Sequence, residues 1–201
     1  LLFEMRAHGG NLPVDHWAAM HVCHDFEEVL KLYSNNGWLD NGFIVHGHSM
    51  GGFIAQRGLR PELETSKNLK GLVLESPVTS YSLINNATCK VLRIPASLHP
   101  WMMKRLLRHY NSMNKDRYTV TDVEFLESPQ WGLPDAPTLL IQAKHDSTLG
   151  QGHWKHLVDV HSRHDSNFEY HIVEELKHSQ ERSNEGRDEL ISDWMEKESL
   201  F

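Results

Sequence analysis

The chain has 201 residues, 39% of them hydrophobic and 23% charged, and its formal net charge is −7. This composition excludes collagen, coiled-coil arrays and wholesale disorder, and no apolar run approaches the roughly 18 residues that a membrane span requires. The acidic balance argues against a nucleic-acid partner, which needs basic surface to displace counterions. Cys23 and Cys89 are too few for a disulfide framework, so we expect a reducing compartment such as the cytoplasm.

Short apolar runs alternate with helical patterns along the chain. Residues 1–7 form an apolar run that stops at a glycine pair, which predicts a strand, and residues 22–35 have the apolar spacing of an amphipathic helix. Further predicted strands lie at 43–45, 71–74, 138–141 and 168–172, and further predicted helices at 50–59, 154–161 and 190–195. This alternation predicts an α/β protein with a mainly parallel sheet flanked by helices.

Residues 80–133 interrupt that rhythm, because they show no clear strand pattern. Between Cys89 and Arg117 there are seven basic residues and one acidic residue, whereas the chain as a whole is acidic. A charge asymmetry of this kind indicates an inserted module. The sequence therefore predicts a core in two parts, residues 1–79 and 134–201, separated by an insertion at 80–133.

The segment Gly47-His48-Ser49-Met50-Gly51 has the pattern G-x-S-x-G and lies between a predicted strand and a predicted helix. A sharp strand-to-helix turn forces its central residue into a strained conformation and holds the serine hydroxyl above the end of the sheet. The N–H of Met50, at the helix N-terminus, is then placed to stabilise an oxyanion. The alternative is a glycine-rich turn whose serine has no catalytic role.

A serine nucleophile needs a base and a carboxylate that orients the base, and in this architecture they follow in the order Ser, Asp or Glu, His, each after a later strand. Asp146 follows the strand at 138–141, and His178 follows the strand at 168–172. Two alternatives remain open: Asp146 caps the next helix, and His178 is one of the chain's 15 histidines that lies in a loop by chance.

These segments resemble the α/β-hydrolases, and more narrowly the group of lysophospholipase L2 and monoacylglycerol lipase, also described as serine aminopeptidase-like. The resemblance covers most of the chain, and it rests on residues 5–10, 47–52, 136–146 and 176–178 with Glu181. It implies Ser49 as nucleophile, Asp146 as acid, His178 as base, and a small helical cap at 80–133. It implies no cofactor and no metal.

The resemblance has departures near the start of the chain. Glu4 stands where the family usually has Asp, and Asn11 follows Gly10 in place of the usual ending. Full members carry upstream strands, including the loop that donates the second oxyanion-hole N–H. We therefore expect that N-terminal strands are missing from this chain and that the second donor lies outside it.

Two further features concern the cap and the histidines. Trp101, Met102, Met103 and Leu106 lie at helical spacing beside basic residues. This pattern is typical either of a cap helix that packs on the core and lines an acyl pocket, or of an interfacial helix on anionic lipid. The histidine pairs 153/156 and 161/164 have spacing that can bind metal, but we expect solvated surface there.

The sequence thus predicts a serine ester hydrolase acting on a lipid-like ester of the lysophospholipid or monoacylglycerol type through an acyl-enzyme. The expected partner is a small-molecule or lipid substrate, with peripheral contact to an anionic membrane through the cap. Two alternatives stay open: a peptidase or amidase of the same fold, which would need an acidic cluster in the cap, and a non-catalytic binding module. The oligomeric state cannot be inferred from the sequence.

Overall fold

A computed structural model of the chain describes residues 2–11, 17–113, 120, 126–128, 133–178 and 183–201. Helices and strands alternate along these residues. In chain order they are α1 (Ala19–Asn35), β1 (Phe43–His48), α2 (Met50–Gly58), β2 (Leu69–Glu75), α3 (Tyr81–Val91), α4 (His99–Met113), β3 (Thr138–Ala143), α5 (Gly152–Ser162), β4 (Phe168–Val173) and α6 (Glu185–Lys197). Short 3-10 helices lie at Glu64–Asn68 and Ala96–Leu98.

The described strands form one four-stranded sheet in the order β1-β2-β3-β4, and every neighbouring pair is parallel. All residues of β3 are buried, as expected for an inner strand of a sheet covered on both faces. Because side chains alternate between the faces, Leu72, Leu74 and Leu140 pack in the larger core with α1, α2 and α5. Their neighbours Val73, Leu139 and Ile141 pack against Trp194 of α6 on the other face. The prediction of an α/β fold with a parallel sheet flanked by helices is confirmed.

The described part of the predicted insertion is helical. Between β2 and β3 the chain forms α3 and α4, and the described residues there add no strand to the sheet. Ser80 caps α3, since its side chain accepts a hydrogen bond from Leu83 N–H at 3.2 Å. The division into core and cap at 80–133 stays a prediction.

The predicted strand at residues 1–7 is wrong for the residues that the structure describes. Residues 2–5 have no regular secondary structure, and a turn follows at Arg6 and Ala7. Phe3 packs its ring on Phe26 of α1, with centroids 5.3 Å apart, and Arg6 pairs with Asp25 through an Nε–Oδ2 contact of 2.6 Å. Phe3 is thus covered by packing against α1 rather than by a strand pairing with β1, while Leu2 stays exposed. The run of hydrophobic residues alone could not distinguish these arrangements.

The expectation of solvated surface for the histidine pairs is wrong for two of the four residues. His153 and His161 are only 3% and 4% exposed. The ring of His161 stacks on Phe168 with a centroid distance of 3.9 Å and an interplanar angle of 8°, and its Nδ1 lies 2.8 Å from Ser166 Oγ. Burial, with a smaller contribution from His164, lowers the pKa of His161 to about 4. The imidazole is therefore a neutral aromatic ring of the core at pH 7.

The buried His161 predicts a loss of stability on acidification. Its folded pKa of about 4 lies below the ordinary 6.5, so the unfolded chain binds a proton between those values that the folded chain does not. The contribution of neutral His161 to the free energy of unfolding is fully present above pH 6.5. It decreases as the pH falls below 6.5, and the loss is roughly 1–2 kcal/mol at pH 5. We expect His161→Phe, which keeps a stacked ring, to lose less stability than the wild type between pH 7.5 and 5 in urea unfolding.

The matched control is Val160→Ala, because Val160 is buried next to His161 on α5 and its side chain does not titrate. Its change in unfolding free energy between the two pH values should equal that of the wild type. If His161→Phe shows the same pH dependence as the wild type, the neutral buried state of His161 is wrong.

Candidate active site

Ser49 lies at the turn between β1 and α2 in a conformation that non-glycine residues rarely adopt, with φ 52° and ψ −117°. Three backbone hydrogen bonds hold it there. Ser49 N–H donates to the Glu75 carbonyl at the end of β2 (2.9 Å), and the Ser49 carbonyl accepts from the N–H groups of Gly52 (3.0 Å) and Val78 (2.9 Å). This is the strained strand-to-helix turn that the G-x-S-x-G pattern predicts.

Two glycines make this turn sterically feasible. A Cβ on Gly47 would lie 2.7 Å from the Gly51 carbonyl oxygen, and a Cβ on Gly52 would lie 2.5 Å from Cβ of Pro77. A Cβ on Gly51, by contrast, would meet nothing within 4 Å. The turn therefore needs glycine at position 47 and at position 52, just beyond the five-residue pattern, whereas position 51 has room for a side chain.

Met50 is the first residue of α2, so its N–H cannot bond within the helix. Among the described residues no partner is found for this N–H. It is a backbone donor at the positive end of a helix, next to the Ser49 hydroxyl, as expected for an oxyanion donor. The side chain of Met50 is contacted by Tyr81 of α3, with the phenol oxygen 3.9 Å from Sδ.

The structure brings Ser49, His178 and Asp146 together in one hydrogen-bonded chain. His178 Nε2 lies 2.9 Å from Ser49 Oγ, and His178 Nδ1 lies 2.8 Å from Asp146 Oδ2. A carboxylate can only accept, so Nδ1 carries a proton and donates to Asp146. In the neutral ring Nε2 then has a free lone pair and accepts from the Ser49 hydroxyl. The geometry leaves the imidazole able to take the serine proton.

Asp146 uses its two oxygens for different tasks. Oδ1 accepts from the N–H groups of Thr148 (2.9 Å) and Leu149 (2.8 Å), which fixes the turn after β3. Oδ2 accepts from His178 and from the side chain of Gln142 (3.2 Å). Burial by itself raises the pKa of Asp146, but these hydrogen bonds outweigh it, and the pKa lies below its ordinary value. The carboxylate is therefore ionised at neutral pH.

The alternative role of Asp146 as a helix cap is only partly right. Its Oδ1 caps the turn at 147–149, while α5 begins later, at Gly152, without a side-chain cap. His178 is 8% exposed and contacts both Ser49 and Asp146. Its role as the base stays a prediction.

His48, the second residue of the pattern, reaches across to the segment that carries His178. Its Nε2 donates to the His178 carbonyl at 2.5 Å, and the two rings lie 5.2 Å apart. This contact ties the backbone of His178 to the end of β1. It joins residues 130 apart in sequence, and no local pattern signals it.

Of the residues predicted to line an acyl pocket, Met102, Met103 and Leu106 are half-buried, while Trp101 is 50% exposed. Leu106 and its neighbour Leu107 pack against the larger core. A groove of about 290 Å³ lies instead between α3 and the turn after Asp146, and none of the four predicted residues lines it. The acyl-pocket role of these residues stays a prediction.

Two other residues supporting the site were not singled out from the sequence. Gln142 is a buried polar residue that follows a run of three apolar residues in β3, and that contrast is the signal that could have identified it as a partner of Asp146. Glu75 lies at the end of β2. Burial raises its pKa, but His46, Arg187 and His48 lower it by more, so the pKa lies below its ordinary value and the carboxylate is ionised. Its backbone carbonyl accepts the hydrogen bond from Ser49 N–H that helps to hold the turn.

Metal and membrane features can be judged only for the residues that the structure describes. Within them, no group of three or more His, Cys, Asp or Glu side chains is arranged to hold a metal ion. His156 lies 2.7 Å from the Ser128 carbonyl and His164 lies 2.7 Å from the Val160 carbonyl, so each has a protein partner. No described helix is both long and apolar enough to cross a bilayer.

Known proteins share this architecture. Residues 1–196 match the model of the alpha/beta hydrolase family. An esterase from Pyrococcus furiosus is 17% identical with a TM-score of 0.59, covering 96% of this chain and 68% of its own. A carboxylesterase from Lactobacillus plantarum is 14% identical with a TM-score of 0.54, covering 96% and 71%. A sugar hydrolase from Lactococcus lactis is 16% identical with a TM-score of 0.61, covering 93% and 72%.

No protein of curated function matches the sequence significantly. At these identities the solved structures establish the fold alone, and the family model spans nearly the whole length. The strand-to-helix turn at Ser49 and the parallel sheet beneath it agree with that match, and the chain belongs to the alpha/beta hydrolase family.

Proposed function

We propose that this chain is a serine ester hydrolase that cleaves a lipid-like carboxylic ester, of the lysophospholipid or monoacylglycerol type, through an acyl-enzyme intermediate. The observation that carries the proposal is the hydrogen-bonded chain from Ser49 Oγ to His178 Nε2 (2.9 Å) and from His178 Nδ1 to Asp146 (2.8 Å). The esterase and carboxylesterase among the similar structures support an ester substrate.

The chemistry follows from these contacts. Ser49 Oγ attacks the ester carbonyl while His178 Nε2 takes its proton, and the N–H of Met50 stabilises the oxyanion. The tetrahedral intermediate collapses, the carbon–oxygen bond to the alcohol breaks, and His178 returns the proton to the leaving oxygen. Water then attacks the acyl-enzyme and gives a proton to Nε2. The bond between the acyl carbon and Ser49 Oγ breaks, Nε2 returns the proton to Oγ, and the carboxylic acid is released. Asp146 stabilises the positive ring in both halves.

The lipid-like substrate is inferred from the cap. α4 is basic and exposes Trp101, and Arg105 lies over the indole ring at 5.7 Å. Leu98, the residue just before α4, is also exposed, at 47%. An exposed aromatic ring beside cationic side chains favours the interface of an anionic membrane. We therefore propose that the cap rests on the lipid surface from which the ester is taken.

Two alternatives remain. A peptidase acting on free N-termini would need acidic groups in the cap, whereas the cap is basic between Cys89 and Arg117. A binding module would keep the fold without turnover. Hydrolysis of a peptide anilide in preference to esters would favour the first alternative, and saturable binding of the ester without turnover would favour the second.

Ser49 is tested by covalent labelling. A fluorophosphonate probe should label the wild type and leave Ser49→Ala unlabelled, because the variant lacks the nucleophile, and ester turnover should fall by about 10³-fold or more. The control is Ser147→Ala, which removes an exposed hydroxyl next to Asp146 and should label normally. Equal labelling of Ser49→Ala, or a wild type that is folded but never labelled, contradicts the proposal.

His48 is expected to act as a positioning residue through the His178 carbonyl. His48→Phe keeps a ring against His178 but removes the donor, whereas His48→Gln retains an N–H at the same reach. We expect kcat to fall by about tenfold or more in His48→Phe with KM little changed, because a displaced base slows the chemical step rather than binding. His48→Gln should recover most of kcat. Equal kcat in all three proteins rules out the positioning role.

The membrane contact is tested on α4. Arg105→Glu combined with Arg108→Glu should weaken binding to phosphatidylserine-containing vesicles, since each basic residue near such a surface contributes about 1 kcal/mol. The control, Lys31→Glu combined with Lys67→Glu, makes the same charge change at exposed positions on α1 and on the Glu64–Asn68 helix. If both double variants cosediment with vesicles as the wild type does, the cap does not bind membranes in this way.

A further inference from the structure

His153, near the start of α5, is a buried histidine whose hydrogen-bonding state the contacts define. Its Nδ1 accepts from Thr79 N–H at 3.0 Å, and Thr79 Oγ1 donates to the His153 carbonyl at 2.9 Å. A backbone N–H can only donate, so Nδ1 is unprotonated. Burial lowers the pKa of His153 to about 4, so the ring is neutral at pH 7. The remaining proton must then sit on Nε2.

That Nε2–H has no hydrogen-bond partner among the residues that the structure describes. Only 3% of the surface of His153 is exposed. The Nε2 atom is not itself among the fully buried atoms that lack a partner. Its N–H therefore faces the groove, where water satisfies it until a ligand takes the place of that water. The ring therefore presents a hydrogen-bond donor of fixed tautomer with no protein acceptor.

His153 lines the groove of about 290 Å³ described above. The other lining residues are mostly apolar or small: Ile84, Ala87, Thr88 and Val91 of α3, Leu92 just after it, and Thr148 and Leu149. No other lining residue has an ionisable side chain. The volume is at the small end of the range for ligand sites, which is about 300–1,000 Å³. The groove thus suits a short apolar chain, with His153 as its polar point.

The groove is built from two segments that also form the candidate site. One wall is the turn whose Thr148 and Leu149 N–H groups donate to Asp146. The other wall is α3, whose first residue, Tyr81, contacts the side chain of Met50. A chain bound here would lie between the turn that holds Asp146 and the helix whose first residue contacts Met50.

We propose that this groove binds the acyl chain of the ester substrate, and that His153 Nε2–H donates to an oxygen on that chain, so that the enzyme prefers short acyl groups bearing a ketone, ether or hydroxyl oxygen. The proposal rests on the proposed ester hydrolase function. A plain alkyl chain in the same place would displace water and leave the donor unsatisfied. An oxygen at the right depth satisfies it.

The test compares the p-nitrophenyl ester of octanoate with matched esters that carry a ketone at the fifth, sixth or seventh carbon, each corrected for its alkaline hydrolysis rate. At one ketone position we expect the wild type to favour the oxygenated ester by about tenfold in kcat/KM, as for one satisfied donor. No preference at any position, as when a retained water satisfies Nε2–H, overturns the proposal.

His153→Asn is the decisive variant, because the amide oxygen of Asn can replace Nδ1 as acceptor for Thr79 N–H while the Nε2 donor is lost. The preference should fall to about one. The ratio is taken within each protein, so a general loss of activity or stability cancels. A variant that folds and keeps the wild-type preference overturns the role of His153.

The groove itself is tested by Ala87→Leu, which fills it, with Lys90→Leu as the control on an exposed part of α3 that does not line it. Ala87→Leu should lower kcat/KM for all the octanoate esters relative to the acetate ester, and Lys90→Leu should not. Equal ratios in the two variants would mean that the acyl chain binds elsewhere.

Two readouts separate this proposal from the proposed function. Fluorophosphonate labelling and acetate ester turnover report on Ser49 in the same samples, whatever the groove binds. If both are absent, the hydrolase proposal fails, and the groove is then tested by binding alone. The ¹⁵N-labelled Nε2–H signal of His153 should shift on addition of the keto acid more than with octanoate, and an unchanged signal contradicts the binding site.

Discussion

The site depends on the backbone of Ser49, which is held at a positive φ of 52° by hydrogen bonds to a neighbouring strand end. A conformation of this kind costs on the order of 1–3 kcal/mol and persists only where the surroundings enforce it. Here the Glu75 carbonyl and the Val78 N–H enforce it, and both lie at or just beyond the end of β2. The close approach of Gly52 to Pro77 fits the same arrangement. The hydroxyl is thus oriented by two adjacent parallel strands, β1 and β2, rather than by the turn alone.

Asp146 extends this constraint to the third strand. One carboxylate oxygen closes the turn after β3 and the other accepts from His178. The position of the His178 ring therefore depends on the fold of the turn that holds Asp146. His48 then ties the His178 carbonyl back to the end of β1. His178 is therefore held in two ways. Its ring contacts Ser49 and Asp146, which follow β1 and β3, and its backbone carbonyl contacts His48 at the end of β1.

The sequence predicts the parts of this site that depend on local patterns. Strands whose residues are mostly apolar on both faces, such as β3, are recognisable in the sequence. Polar residues just beyond the carboxyl ends of parallel strands are candidates for function, which is how Asp146 and His178 are predicted. Contacts between distant segments have no such signal. The bond from His48 to the His178 carbonyl and the burial of His153 against Thr79 both depend on how separate elements pack. The predicted strand at residues 1–7 is wrong for the same reason. An apolar run does not distinguish a strand from a segment that packs on α1, as Phe3 does.

His153 and His178 both interact with Asp146, yet the two rings have different hydrogen-bonding states. Asp146 favours the charged form of His153 through space, yet burial dominates and keeps that ring neutral. Thr79 N–H reinforces this, because it donates to Nδ1 and would be repelled by a proton there. His178 instead donates Nδ1–H directly to Asp146, a contact that strengthens when its ring becomes positive. Asp146 therefore makes its direct hydrogen bond to His178, the ring that contacts Ser49, and His153 remains a neutral hydrogen-bond donor.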